Sequence, residues 1–337
     1  MSTREEFYTR IDKDALAPLW TRLKSLVPAE PTPVGIPYLW RYRDIRPHVL
    51  ESATLISAME AERRVLILEN PSLRGLSQVS NTLYAGVQLL MPGEIAPAHR
   101  HTQSALRFIL EGSGAYTAVD GEKTLMQRGD FVITPSWTWH HHGNDSSEPT
   151  IWLDGLDIPM VAFFNSTFRE DHDRVEADVH RPLGDSPARY GQGLLPVGHV
   201  ARSLNSPVFN YPYARTREAL ATIAAHDMPD AAHGHLMRYI NPLDGGWAMP
   251  TIAPTIQLLP NGIETTPYRS TDAKVFVVVE GGGALHLGDQ SLVFDESDIF
   301  VVPGWVSHHF STTAETVLFA FSDRVVQEKI GIFREQR

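Results

Sequence analysis

Cysteine is absent from this 337-residue chain. That excludes disulfides, thiolate nucleophiles, cysteine-ligated zinc and iron–sulfur clusters. Long apolar runs are absent too. No stretch approaches the ~18 consecutive apolar residues that a membrane-spanning helix needs. The first residues, Met1-Ser-Thr-Arg-Glu-Glu6, hold no apolar core of the signal-peptide kind, so a soluble cytoplasmic protein is the expectation. Basic surface is also scarce. Lys and Arg total 29 against 40 Asp and Glu, a formal charge of −11. Such a chain lacks the positive field that nucleic acid or an anionic membrane would require.

Composition is otherwise that of a globular protein, with 42% hydrophobic and 20% charged residues. The length suggests about two domains at ~150 residues each. Against these ordinary values stand 15 histidines and 24 prolines. The histidines cluster at His99 and His101, at His140 to His142, at His233 and His235, and at His308 and His309.

Segments 1–59 read as helical and then extended. Asp14 can cap a helix in which Leu16, Leu19, Trp20, Leu23, Leu26 and Val27 recur at helical spacing, and Pro28, Pro31 and Pro33 end it. From about 60 to 160 short alternating runs predict antiparallel β-structure. Tyr84, Gly86, Gln88 and Leu90 share one parity, and Asp120-Gly121 suits a two-residue hairpin turn. Residues 161–230 are polar and read as a linker with one helix near 217–225. The β-pattern returns over 231–323, and 324–337 predicts a terminal helix.

An internal repeat underlies both β-regions. Glu111-Gly-Ser-Gly follows Gly93 by 18 residues, and Glu280-Gly-Gly-Gly follows Gly262 by the same interval. Gly129-Asp130, Pro135 and Trp137 then match Ser297-Asp298, Pro303 and Trp305. Each copy reaches a histidine, His140 or His308, five residues after its proline.

The first copy holds the chemistry. Side chains at i and i+2 on a strand face the same way, so His99 and His101 can share one metal ion. His140, on another strand, can complete a facial trio. Alone, each would read as a surface or core histidine; the shared frame argues for a site. If the strand runs on unbroken, Gln103, Ala105 and Arg107 point inward with His101. An inward Arg beside a metal cation calls for an anion between them. His142 shares a face with His140 and is a candidate acid or base, whereas His141 points away with Trp139.

These motifs resemble those of cupins: Gly93 followed by His99-x-His101, then Gly129-Asp130, Pro135, His140 and Asn144. The carboxylate that commonly follows the first pair is replaced by Ala105 and Leu106. Three neutral ligands would leave a dication's charge undiminished for an anionic substrate and dioxygen. His99-Arg-His-Thr-Gln-Ser-Ala-Leu-Arg107, Trp137-Thr-Trp-His140-His-His-Gly-Asn144 and Trp152-Leu-Asp-Gly-Leu-Asp157 further resemble the gentisate 1,2-dioxygenase family and its salicylate and 1-hydroxy-2-naphthoate relatives. The resemblance implies an all-β bicupin of two jelly-roll barrels, one Fe(II) on His99, His101 and His140, and usually a homotetramer. It implies His142, Arg107 and Asp154 as catalytic residues. Arg63, Tyr84, Gly86, Gln88, Arg107 and His142 would meet a small aromatic carboxylate. Of the neighbours Arg63 and Arg64, it favours Arg63 inward. Tyr84 stands where the salicylate-cleaving relative carries Trp, which tilts the reading towards gentisate.

The second copy has Tyr268 and Ser270 where His99 and His101 stand, so it predicts no metal site. His233 and His235 lack the glycine frame and read as surface or packing residues. The alternatives are cleavage of salicylate or 1-hydroxy-2-naphthoate, a non-catalytic ligand-binding bicupin and a sugar isomerase. The complete His trio argues against a storage role, and the missing carboxylate against an isomerase-type site.

Overall fold

The computed structural model describes residues 3–201 and 203–337. The chain divides into units 1–32 and 33–337. In the smaller unit a helix spans Arg4–Asp12, opened by a capping box in which Glu6 N–H donates to Thr3 Oγ1 (3.2 Å) and Thr3 N–H to Glu6 Oε2 (2.7 Å). The expected helix after Asp14 is therefore displaced. Pro18 interrupts it, leaving one 3₁₀ turn at Leu19–Thr21 and a short helix at Leu23–Leu26.

The larger unit contains two β-barrels. The first is formed by two facing sheets. One runs Asn210–Tyr211, Phe131–Thr134, Ala105–Glu111, Thr150–Leu156, Tyr84–Leu90, Val65–Ile67 in spatial order. The other runs Arg169–Asp171, Ile95–His101, His140–Asn144, Ser113–Val119, Glu122–Gln127. The antiparallel β-structure expected from the sequence over about 60–160 takes in all of these strands but Arg169–Asp171 and Asn210–Tyr211. The second barrel repeats the plan with Tyr38–Trp40, Ile299–Val302, Lys274–Glu280, Thr316–Ser322, Ala253–Leu259, His235–Arg238 facing Gln290–Phe294, Gly283–Leu287, His309–Thr312. This is the all-β bicupin architecture.

The repeat landmarks are turn positions. Gly93 and Gly262 have φ of 74° and 72°, and Trp137 and Trp305 have φ of 57° and 66°. A left-handed backbone is nearly free for glycine and costly for tryptophan. Its recurrence at both tryptophans shows that one backbone path was duplicated. The hairpin at Asp120 (φ 47°) and Gly121 (φ 79°) has positive φ at both residues, as a type I′ turn requires.

Three segments depart from the sequence expectation. Residues 161–230 are more than a linker: Arg169–Asp171 pairs with the first barrel's Ile95–His101, and Asn210–Tyr211 with Phe131–Thr134. Within residues 1–59, Tyr38–Trp40 joins a sheet of the second barrel, and a helix at Tyr42–Leu55 tolerates Pro47 in its second turn. The terminal helix stops at Lys329; Gly331 turns the chain, and Glu335–Gln336 pairs with Arg269–Ser270.

The barrels meet back to back through their large sheets. Leu106, Phe108, Phe131 and Leu153 of the first pack with Val275, Phe319 and Phe321 of the second, and Phe108 stacks on Phe319 at 4.2 Å between centroids. Burying one such aromatic contributes roughly 2–3 kcal/mol. The shared core fixes the strands that carry Arg107 and Asp154, because Leu106, Phe108 and Leu153 are their outward-facing neighbours.

Candidate metal centre

His99 and His101 lie on one strand, and His140 lies directly opposite His99 on the next. One nitrogen from each of the three imidazoles falls within 4.8 Å of the others. The carbonyls of Gln103 and Thr138 accept from Nδ1 of His101 and His140, each at 2.9 Å. That fixes both rings as Nδ1–H tautomers and leaves Nε2 bare. Burial and nearby guanidiniums push His99 down to about 2 and His101 to about 4, and hold His140 well below its ordinary value. All three are neutral at pH 7, with lone pairs converging. This chemistry fits a divalent transition metal that takes imidazole ligands.

A cavity of about 380 Å³ opens beside the trio. Arg63, Tyr84, Gln88, Gln103, Arg107 and Asp154 line it. The strand does not run unbroken from His99: it ends at His101, and a turn leads into Ala105–Glu111 on the other sheet. Gln103, Ala105 and Arg107 nevertheless face the cavity, because that turn carries the chain across the barrel mouth.

Arg107 donates to Thr134 Oγ1 at 2.6 Å and to His142 Nε2 at 3.1 Å, and its Nε lies 3.5 Å from Asp154 Oδ1. Asp154 also accepts from Trp152 Nε1 at 3.1 Å. Burial pushes Asp154 up to about 6, against the pull of Arg107. Arg63 points into the cavity, whereas Arg64 is buried on Glu94. Among the described residues Arg63 makes no ion pair; its guanidinium donates to the carbonyls of Glu62 and Pro97. Burial and repulsion from Arg107 lower it to about 9. Two guanidiniums facing one cavity are unfavourable until an anion lies between them.

Neutral groups add specificity. Gln88 Nε2 is buried without a partner, and Tyr84 lines the same wall. Gly86 stands between them in sequence and on the same face. A Cβ there would fall 2.8 Å from the Tyr84 hydroxyl and 2.5 Å from Val65 Cγ1. The glycine therefore makes room for the tyrosine.

His142 departs from the expectation that it faces the substrate as an acid or base. It is fully buried beside Arg107, and its Nδ1 lies 3.0 Å from Thr117 Oγ1. Since Arg107 can only donate, Nε2 of His142 accepts and its lone pair is engaged. The histidine holds the guanidinium in place. His141 points away, with Nε2 3.5 Å from Glu176.

Sequence reasoning missed Val65, Leu156, Ile158, Thr167, Phe168 and Arg169, which complete the lining. Arg169 pairs with Glu62 and Asp171 on the strand opposite His99 and His101. A three-residue polar strand carries no alternation signal that could have revealed it. In the other barrel, His235 is buried packing, but His233 lines a second cavity.

The cupin-domain family matches residues 86–156. The gentisate 1,2 dioxygenase 1 of Aquipseudomonas alcaligenes is 52% identical over 334 residues, covering 99% of this chain and 96% of that protein. The chain belongs to the gentisate 1,2-dioxygenase family. A Streptomyces gentisate 1,2-dioxygenase is 36% identical, with 99% of this chain and 95% of that one covered. Among solved structures, the salicylate 1,2-dioxygenase of Pseudoaminobacter salicylatoxidans as its gentisate adduct superposes with a TM-score of 0.93. It is 34% identical and covers 100% of this chain and 94% of its own. Members of this family are ring-cleaving dioxygenases, and the three-histidine centre lies in the barrel that the cupin match covers.

Proposed function

We propose that this chain is an Fe(II)-dependent gentisate 1,2-dioxygenase that opens 2,5-dihydroxybenzoate between C1 and C2 and places both atoms of dioxygen in maleylpyruvate. The observation that carries the reading is the pair Arg63 and Arg107 facing one cavity beside three neutral imidazoles. That combination suits a small carboxylate bound next to a metal. His99, His101 and His140 would hold the iron, which when bound supplies the redox chemistry with dioxygen that side chains cannot.

The protein's own part is to bind and orient. Arg107, braced by Thr134, His142 and Asp154, presents a planar fork that fixes both the position and the plane of a carboxylate. Arg63, in the turn before Val65–Ile67, adds a second positive charge to the same cavity. Gln88 Nε2 has an open donor for a substrate oxygen. The Tyr84 hydroxyl can meet the 5-hydroxyl, a contact that salicylate lacks, and it favours gentisate. Leu156, Ile158 and Phe168 give the ring an apolar wall. An oligomer also belongs to this reading; it is supported by six exposed apolar side chains between Leu16 and Val27.

The test is oxygen uptake by anaerobically purified, Fe(II)-loaded enzyme on a panel of hydroxybenzoates. Stoichiometric uptake is expected, with the highest kcat/KM for gentisate. No uptake with gentisate overturns the proposal, and equal turnover of gentisate and salicylate removes the role given to Tyr84.

A further inference from the structure

The second barrel lacks the metal trio but keeps a cavity of about 270 Å³ at the corresponding place. Strand register defines the equivalence. Asp154 lies opposite Arg107 in one barrel, and Ala320 opposite Phe276 in the other. Tyr268, Ser270, Asp272 and Lys274 then occupy the positions of His99, His101, Gln103 and Ala105. His308 occupies that of His140.

A positive charge returns here in another form. Lys274 Nζ donates to Ser270 Oγ at 2.5 Å and to Asp272 Oδ1 at 2.8 Å, and it lies 5.1 Å from the centre of the Tyr268 ring. An ammonium has three N–H donors, so one remains. Asp272 is fully buried: its carboxylate answers Lys274, and the Ser270 and Ser322 hydroxyls also bond to it. Nδ1 of His308 donates to the Val306 carbonyl at 3.0 Å, which leaves Nε2 as an acceptor. These groups thus offer one cationic donor, on Lys274, and one acceptor, on His308. Phe276 and Phe310 give the cavity an apolar wall. Around the whole cavity Arg238, Lys274 and Arg324 outnumber Asp272 and Glu328.

The complementary molecule carries an acceptor, preferably an anion, for Lys274. It carries a hydroxyl for His308 Nε2, and a flat apolar body for the phenylalanines. We propose that the second barrel is a separate, metal-free binding site for a small hydroxylated aromatic carboxylate, with Lys274 standing in for the metal cation. The choice of a hydroxybenzoate rests on the reading of the first site.

The test is an anaerobic calorimetric titration of the iron-loaded full chain with gentisate, so that no turnover occurs. Wild type should bind two molecules per chain. Lys274→Met should weaken one of them by more than ~30-fold, the loss expected for a desolvated charge partner. Because that variant strands Asp272, the double variant Asp272→Asn/Lys274→Gln serves as an isosteric, uncharged control and should lose the same site. Both variants should keep the kcat/KM of the first site. Arg107→Met should lose the other site only. A single site that disappears in Arg107→Met overturns the proposal, as does a second site indifferent to both Lys274 variants. A single site that depends on Lys274 and ignores Arg107→Met supports the proposal while overturning the reading of the first barrel.

Discussion

The two barrels share a backbone plan and differ in what fills them. In the first, Arg107, Thr134, His142 and Asp154 form a buried, hydrogen-bonded set behind the three histidines. In the second, strand register places Phe276, Val302, Phe310 and Ala320 at those four positions. Phe276 and Phe300 stack at 4.8 Å, and Phe294 and Phe300 at 5.3 Å. One interior is therefore organised around charge and the other around aromatic packing. Buried ionic networks are rarely the most stabilising solution, since desolvation opposes the Coulomb gain. The four-residue network deep in the first barrel has no counterpart at the same positions of the second, whose deep interior is packed for stability and whose one buried ion pair, Lys274 with Asp272, lies nearer the mouth.

The largest expected effects concern metal binding. His140→Ala should abolish it, together with activity, because two imidazoles cannot hold the ion as three do. The equivalent His308→Ala should leave metal content unchanged in elemental analysis. Loss of metal in His308→Ala would break the distinction between the barrels.

Next comes a matched pair of substitutions. Arg107→Met should lower kcat/KM by roughly 30-fold to several thousand-fold, with iron content intact. Phe276→Ala should leave metal content unchanged and cost about 3–5 kcal/mol in stability, measured by denaturant unfolding. An Arg107→Met enzyme with normal kinetics would reduce Arg107 to a structural ion pair.

The pH dependence sharpens the same contrast. Asp154 titrates near about 6 because burial outweighs Arg107. Its charged form, present above that pH, supports the guanidinium. Protonation as pH falls removes that support, so kcat/KM should drop below about pH 6, approaching a slope of about one log unit per pH unit. Asp154→Asn should be slower throughout and lose this limb. An unchanged limb in the variant would assign it to another group.

The smallest effect is at Tyr84. Tyr84→Phe should reduce kcat/KM for gentisate by ~2–10-fold, the worth of one neutral hydrogen bond, and leave salicylate unaffected. Equal losses on both substrates would place the hydroxyl's role elsewhere.

Much of this arrangement was legible in the sequence, because turn and ligand residues are local signals. The glycines, the His-x-His pair and the proline before His140 mark backbone positions that tolerate few alternatives. Parity put Tyr84, Gly86 and Gln88 on one face but left open whether that face met a core or a cavity; Tyr84 and Gln88 line the cavity. Arg107 was read as inward although the assumed continuous strand is broken at residues 102–104. What stayed hidden depends on pairing between distant segments. Arg169 gains its place only by pairing with Ile95–His101, and Tyr38–Trp40 only by pairing with Ile299–Val302. The neighbour of His142 stayed hidden because parity gives a direction and not a partner. Only the 3.1 Å contact with Arg107 shows that its lone pair is engaged.

The account stands most directly on a titration of metal-free enzyme with Fe(II) under anaerobic conditions, each aliquot then assayed for oxygen uptake with gentisate. Activity should rise in proportion to added iron and saturate at one iron per chain. Saturation at two per chain, or no uptake at any loading, would contradict a single reactive barrel built on His99, His101 and His140.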